Sequence, residues 1–415
     1  MVVMQMDIIK YLKTNSYVPL SAYKQSVAGL LVSTMFGLLA GVFLGSITST
    51  LERLPGLMIL IPAAIGMRGN IFGALGSRLG SAQHAGMFST EISKQSILGQ
   101  NIYASSTITI VISVALGIIA YIFALIFSVK SISIFDFIFI SVFGGVIASI
   151  FLLIITVVIS VVGHKKQWDI DNLSAPIITA TGDLFALPAL LVGAVLLMAL
   201  GAISKIFIDV GAVVFVLCAL VVLYSALKSN MRYSKRIVAE SIPILIIAGT
   251  INSFAGMTIN LKLASFIALP AMLVILPSFL GDNNALGGIL AARLSSMLHT
   301  GIIEPRTVPQ SIVLQNFLMM YLLAMFIFPM AGGLAHIVSV VMHIQSPGLI
   351  ILAKATTLAG LISVTVVNFL AYYIAIAAYK LGLDPDNCGV PLTSSAIDTV
   401  GAVLLVVVFM HQGLI

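Results

Sequence analysis

The sequence predicts an all-α polytopic membrane protein made of two parallel five-helix repeats, related by a pseudo-two-fold axis, and one connecting transmembrane helix. Its 415 residues are 60% hydrophobic and only 8% charged, which is too little charge for the surface of a soluble fold. The apolar residues form continuous runs of about 20 residues, the length that crosses the ~30 Å hydrocarbon core as a helix, and do not alternate as barrel strands do. Two polar motifs recur inside these runs at one fixed offset.

Eleven spans are predicted, and the lipid bilayer is their expected surrounding. In chain order they lie at about Gln25–Ile47, Pro55–Gln83, Ile97–Phe127, Phe135–Val162, Asn172–Leu200, Val210–Leu227, Ser241–Asn260, Ala264–Leu298, Ile312–Met342, Leu349–Tyr379 and Asn387–Met410. The sixth span has no counterpart in the repeat. Its extra crossing returns the chain to the starting side, so the two halves run parallel. Such a chain resembles a two-fold dimer fused into one polypeptide, for which a monomer is sufficient.

The loops predict the orientation and the domain boundaries. With a cytosolic N-terminus, the outer loops hold only Arg53, Lys130, Lys205 and Lys262. The inner loops hold Lys10, Lys13, Lys24, Lys94, Lys165, Lys166, Lys228, Arg232, Lys235, Arg236, Arg306 and Lys380. The positive-inside rule therefore places the N-terminus in the cytosol and the C-terminus outside. We divide the chain into a cytosolic leader (1–24), a first membrane repeat (25–204), a connecting helix with a basic linker (205–239) and a second membrane repeat (240–415).

Charge and cysteine content exclude several classes of partner. The net charge of +6 follows from the orientation in the bilayer, so no nucleic acid partner is expected. The N-terminal segment is mixed polar and does not have the pattern of a signal peptide. Cys218 and Cys388 lie in or near apolar spans without a Cys or His partner at zinc-ligand spacing, which implies neither a disulfide framework nor a zinc site.

The first repeated motif lies in the second span and returns in the eighth. The pairs that are 215 residues apart are Pro62 and Pro277, Gly66 and Gly281, Gly73 and Gly288, Arg78 and Arg293, His84 and His299, and Gly86 and Gly301. One interpretation is a helix broken at Gly66–Asn70 and Gly281–Asn284, whose freed backbone groups line the outer part of a pathway. The residues that would line it are Gly69, Asn70, Asn283 and Asn284. The other interpretation is a glycine kink that allows close helix packing. Arg78 and Arg293 are expected to anchor the inner ends of their helices.

The second repeated motif places a carboxylate inside the fifth and eleventh spans. Asp183 and Asp398 lie about eleven residues into these spans, roughly 16 Å deep at the helical rise. A carboxylate at this depth costs ~2.5–3.5 kcal/mol or more and needs water, a partner or a cation. Thr179 and Ser394 precede them by one helical turn on the same face. Two such helices facing each other across a two-fold axis would present carboxylates, hydroxyls and backbone oxygens, which are ligands of hard cations.

The beginning of this motif contains further acidic and amide residues. Asp171, Asn172, Asp386 and Asn387 fit both a cation-attracting cytosolic mouth and ordinary helix N-capping, and both interpretations stay open. Proline at 176 and 391 removes a helical donor and frees a carbonyl. The predicted metal site therefore consists of Asp183, Asp398, Thr179, Ser394, Asn172, Asn387, Asp171 and Asp386, with Pro176 and Pro391 lining the pathway.

Three other interpretations were weighed. The two aspartates inside the membrane would be structural if they were protonated or salt-bridged. An intramembrane aspartyl protease would also use two aspartates, but it needs Tyr-Asp and Gly-x-Gly-Asp motifs on neighbouring spans, whereas Thr181-Gly182-Asp183 and Ile397-Asp398 are copies of one motif. A secondary transporter of a small organic solute would favour aromatic and amide-rich sites, which do not cluster here. No enzymatic activity is predicted.

Together, the two motifs resemble the integral-membrane domain of the MgtE family of Mg²⁺ channels and transporters, in the duplicated form found among solute-carrier relatives. The matching segments are Pro62–Leu79 and Asp169–Asp183, each with its second copy. The resemblance implies five-helix units around one ion pathway, with the fifth helix of each unit lining it and the pore aspartate at Asp183 and Asp398. It also implies transport of Mg²⁺ or another divalent cation in the cell membrane, by channel-like uniport or by exchange for Na⁺ or H⁺, with no cofactor besides the transported ion.

Overall fold

A computed structural model describes residues 20–84, 86–166, 170–299, 301–381 and 390–414 of the chain. Within these ranges the backbone forms helices and no strand. The helices are α1 Leu20–Ser46, α2 Thr48–Arg53, α3 Leu57–His84, α4 Ile97–Ile126, α5 Ile134–Lys166, α6 Ile170–Ile203, α7 Lys205–Lys228, α8 Arg232–Asn260, α9 Leu263–Ala268, α10 Ala271–His299, α11 Ser311–Val341, α12 Leu349–Leu381 and α13 Val390–His411. All except the short α2 and α9 are long and apolar enough to cross a membrane, which confirms the eleven predicted spans.

One predicted boundary is wrong, because the eighth span does not run unbroken over Ala264–Leu298. The chain forms the short helix α9, leaves the helical conformation at Leu269 and begins α10 after Pro270. A residue before proline is driven away from the α region, and Leu269 accordingly has φ −128° and ψ 77°. Leu54 adopts nearly the same angles before Pro55, between α2 and α3. The two breaks are therefore equivalent in the two repeats.

The predicted helix breaks at Gly66–Asn70 and Gly281–Asn284 are also wrong. The helices α3 and α10 run continuously through these segments and even contain Pro62 and Pro277. The physical reason is that a break inside the bilayer leaves peptide groups without hydrogen-bond partners. The alternative interpretation, in which glycine permits close approach, agrees with the continuous helices, and the groups that approach these glycines are described below.

The first helix of each repeat packs against the other repeat. Helix α1 lies along α10 of the second repeat, and α8 lies along α3 of the first. At both crossings the backbones touch at glycine: a Cβ added to Gly41 would lie 1.8 Å from the carbonyl oxygen of Val274, and one added to Gly256 would lie 2.4 Å from that of Ile59. Gly41 and Gly256 are equivalent positions, and so are Ile59 and Val274. Reciprocal contacts of this kind are the mark of a two-fold interface.

The two-fold relation extends to the ends of the second helices. After α3, Gly86 has φ +69° and its N–H donates to the carbonyl of Gln83, while the Met87 N–H reaches back to Ala82. After α10, Gly301 has φ +71° and makes the equivalent turn. Glycine at this position terminates a helix in the left-handed conformation without strain. The repeated Gly86 and Gly301 of the first motif are therefore helix-terminating residues.

Helix α7 is the span without a counterpart. It packs against α4 and α5 of the first repeat, and most of its side chains are exposed and apolar. Such a surface faces lipid in a membrane-embedded chain. Because α7 adds one crossing between the five-helix units, it allows the two repeats to run parallel, as predicted.

Candidate functional site

The two predicted aspartates both lie where the repeats meet. Asp183 on α6 faces Gly281 of α10, so that a Cβ added to this glycine would lie 3.3 Å from the Asp183 Oδ2 atom. Asp398 on α13 faces Gly66 of α3, where an added Cβ would lie 3.2 Å from the Asp398 Oδ2 atom. Each carboxylate thus reaches from its own repeat to the repeated glycine of the other. These contacts explain why glycine stands at 66 and 281 inside continuous helices.

The two carboxylates are close enough to repel each other, but their surroundings differ. Asp398 is 5% exposed and accepts a hydrogen bond from the side-chain amide of Asn284. Asp183 is only partly buried, and within the described part of the chain no residue donates a hydrogen bond to it. The position equivalent to Asn284 in the first repeat is Gly69, which cannot donate from a side chain and instead packs near Gly182. Asp183 is therefore the more available of the two carboxylates.

The remaining residues of the repeated segments make different contacts. The Asn70 amide reaches α13, 3.5 Å from the Pro391 carbonyl oxygen and 3.4 Å from the Ser395 hydroxyl. Asn283 instead donates to the carbonyl of Phe279 on its own helix, at 2.9 Å. Pro391 lies in the first turn of α13, where its missing N–H costs no helical hydrogen bond. Ser394 is half-buried on the same helix.

The rest of the predicted metal site falls outside what the structure describes. The segment 382–389, which contains Asp386 and Asn387, is not among the described residues. Asp171, Asn172, Pro176 and Thr179 belong to the backbone of α6, but their side chains are not described. Their assignment as ligands or mouth residues stays a prediction.

A third carboxylate near this interface was missed by the sequence reasoning. Asp282 on α10 is fully buried and lies within electrostatic reach of Asp183. Thr34 on α1 contacts it through its hydroxyl, 3.0 Å from both carboxylate oxygens. A usable signal was present: Asp282 is an acidic residue inside an apolar span, and its counterpart 215 residues earlier is Met67.

An arginine of the first repeat is also buried in the membrane region. Arg68 donates to the hydroxyls of Ser113 and Ser149, at 2.7 and 2.9 Å, and is 1% exposed. These serines lie on α4 and α5, so the guanidinium is held inside the first repeat. Its counterpart in the second repeat is Asn283. Arg68 and Asp282 thus make the two copies of the motif chemically unequal.

The arginines that end the first motif have equivalent partners. Arg78 donates through Nε to the Asn101 side-chain oxygen at 2.8 Å, and Arg293 donates to Asn316 in the same way at 2.7 Å. Each asparagine in turn donates to the carbonyl four residues earlier in its helix. The predicted anchoring role of Arg78 and Arg293 agrees with this geometry, since each arginine ties the second helix of its repeat to the third.

We expect Arg78→Ala and Asn101→Ala each to lower the free energy of unfolding by about 1.5–3 kcal/mol, the range for a hydrogen bond to a charged group. The double variant should cost less than the sum of the two single changes, because both remove one bond. Urea unfolding of the detergent-solubilised protein, followed by tryptophan-independent far-UV circular dichroism, measures this. Arg293→Ala and Asn316→Ala form a matched cycle in the second repeat, and additive effects in both cycles would contradict the anchoring role.

The comparison with known proteins gives a match in two segments. A family model for MgtE, described as a divalent cation transporter, matches residues 61–193 and again residues 276–408. Both ends of the two segments differ by the 215-residue offset, and each segment contains one of the two aspartates. No solved structure matches the chain.

Proposed function

The chain belongs to the MgtE family of divalent cation transporters, and from this we propose that it carries Mg²⁺ along the interface between its two repeats, with Asp183 and Asp398 holding the ion. The single observation that supports this most is the meeting of these equivalent carboxylates at the interface, each facing a glycine of the opposite repeat. Two carboxylates that repel each other inside the membrane become stable together when a divalent cation is between them.

The proposed ion stays hydrated at the site. Within the described ranges no three His, Cys, Asp or Glu side chains converge as a metal-binding group. Mg²⁺ dehydrates reluctantly and usually keeps several waters, so two carboxylates are enough to hold it through its water shell. Asn284, Asn70 and Ser394 add polar groups along the wall, and Thr179, Asn172, Asp171, Asn387 and Asp386 extend it towards the cytosol.

The proposed setting is the cell membrane, with the N-terminus in the cytosol and the C-terminus outside. In that orientation a membrane potential of −100 mV drives a divalent cation inward with about 4.6 kcal/mol, twice the value for one charge. Uniport is therefore sufficient for uptake, whereas export requires coupling to Na⁺ or H⁺.

We expect liposomes that contain the protein to take up Mg²⁺, and we expect the double variant Asp183→Asn/Asp398→Asn to lose at least about 99% of this flux, a hundredfold effect that corresponds to about 2.7 kcal/mol at the barrier. Uptake is measured with an Mg²⁺-sensitive dye inside the liposomes, with and without Na⁺ and pH gradients. Asp136→Asn is the control, because this carboxylate lies at the start of α5 and accepts from the Ser133 backbone N–H. Equal flux in the double variant and the unchanged protein would remove both aspartates from the pathway.

A further inference from the structure

Asp282 is a buried carboxylate without a positive partner. It is fully buried in α10, and within the described chain no lysine, arginine or histidine contributes to its electrostatic surroundings. The nearby charge that does act on it is another carboxylate, that of Asp183. An uncompensated charge in this position is costly, so the site requires a positive group that the protein itself does not supply.

The surroundings of Asp282 consist of oxygen atoms from two helices. Thr34, Ser33 and Ser278 all hydrogen-bond its carboxylate through their hydroxyls. The Thr34 hydroxyl is also 2.9 Å from the carbonyl oxygen of Leu30, and that of Ser278 is 3.4 Å from the Thr34 carbonyl oxygen. The crossing of α1 and α10 therefore collects one carboxylate, three hydroxyls and two backbone oxygens.

The hydrogen atoms in this cluster do not satisfy all of its oxygens. The Thr34 hydroxyl has one proton but lies within 3.0 Å of three acceptors: the Leu30 carbonyl and both oxygens of Asp282. At most one of these contacts is a hydrogen bond donated by Thr34 in the usual sense. An oxygen cluster with too few protons is a suitable environment for a cation.

The pseudo-two-fold relation supplies a comparison within the same molecule. The counterparts of Asp282, Ser278, Ser33 and Thr34 are, respectively, Met67, Ala63, Ala248 and Gly249. All four polar residues are thus replaced by apolar ones at the equivalent crossing of α8 and α3. Because that crossing forms without a polar cluster, the cluster at α1 and α10 is not required to build the fold.

We propose that Asp282, Ser33, Thr34 and Ser278 bind Na⁺. A single carboxylate balances one positive charge, and hydroxyl and carbonyl oxygens are ligands for a hard cation. Mg²⁺ fits this site less well, because it demands octahedral geometry and keeps its waters, whereas the cluster is closely packed and dry. The Na⁺ site is distinct from the Mg²⁺ pathway but adjoins it.

The two sites are connected at Gly281. A Cβ at this glycine would lie 3.3 Å from the Ser33 hydroxyl and 3.3 Å from the Asp183 carboxylate. Ser33 is half-buried and stands between Asp282 and Asp183, which themselves repel each other. Na⁺ at Asp282 therefore lowers the affinity of Asp183 for a divalent cation by charge repulsion, as coupling requires. This coupling rests on the proposed function, whereas the binding of Na⁺ itself does not.

The binding is tested on the intact, detergent-solubilised protein without divalent cations. We expect Na⁺, exchanged for K⁺ or choline at constant ionic strength, to raise Tm by on the order of 5 °C when the site is saturated. Asp282→Asn and Ser278→Ala should lose this Na⁺-specific shift. The alanine is the residue found at the equivalent position 63, so Ser278→Ala keeps the proposal testable if Asp282→Asn does not fold. Asp136→Asn should keep the full shift.

Three results would overturn the Na⁺ site. They are an equal shift with K⁺ or choline, an unchanged Na⁺ shift in Ser278→Ala and Asp282→Asn, and a response to pH at constant Na⁺ without any response to Na⁺. The liposome assay separates this proposal from the proposed function. Mg²⁺ flux that depends on Asp183 without a Na⁺ shift in Tm refutes the Na⁺ site alone, and a Na⁺ shift in a protein without Mg²⁺ flux refutes the transport proposal alone.

Discussion

Gly41→Ala is expected to cost at least about 3 kcal/mol of stability, at the upper end of the penalty for overpacking. The added Cβ would lie 1.8 Å from the carbonyl oxygen of Val274, which belongs to the backbone of α10 and has no rotamer that moves it away. The helices α1 and α10 would have to separate, and this crossing joins the two repeats. We expect loss of the monodisperse protein in size-exclusion chromatography and a strongly lowered Tm in detergent.

Gly29→Ala is the matched control for this prediction. Gly29 lies on the same helix, and a Cβ added there meets nothing within 4 Å. Because alanine is a better helix former than glycine, this change should leave Tm unchanged or raise it. Gly256→Ala, at the equivalent crossing, should also destabilise, since its Cβ would lie 2.4 Å from the Ile59 carbonyl oxygen. A similar Tm for Gly29→Ala and Gly41→Ala would show that the crossing tolerates more space than the structure indicates.

The architecture was predictable from the sequence because it depends on long-range regularities. The apolar runs determine the number of spans, and the 215-residue offset determines that two copies exist. The exchange of α1 and α8 between the repeats was not predictable in this way. Hydropathy shows that a segment crosses the membrane but does not show which neighbour it packs against. The glycines Gly41 and Gly256 gave a hint in retrospect, because they too are 215 residues apart.

The candidate site was predictable only in part, for a similar reason. Asp183 and Asp398 stood out because a carboxylate within an apolar span is rare and theirs is repeated. The role of Gly66 and Gly281 was misjudged, since the same residues suit a broken helix and a close contact. Asp282 was overlooked because it breaks the repeat. The residues that differ between the copies are the ones that symmetry-based reasoning discards, and here they form the proposed Na⁺ site.

The difference between the two pathway aspartates leads to the second large effect. We expect Asp183→Asn to reduce Mg²⁺ flux in liposomes by about a hundredfold and Asp398→Asn by about tenfold, a difference of about 1.4 kcal/mol. Asp183 is partly exposed and, among the described residues, has no hydrogen-bond donor, so its full charge is available to the ion. The charge of Asp398 is partly satisfied by the Asn284 amide, and its side chain is more deeply buried.

Asn284→Gly separates this explanation from a simple difference in position. It places the residue of the first repeat, Gly69, at the equivalent position of the second and removes the donor from Asp398. If the hydrogen bond is what makes the aspartates unequal, Asp398→Asn made together with Asn284→Gly should cost nearly as much flux, relative to Asn284→Gly alone, as Asp183→Asn costs in the unchanged protein. If the effect of Asp398→Asn stays tenfold without Asn284, the inequality comes from another source, and the asymmetric surroundings of the two carboxylates do not govern transport.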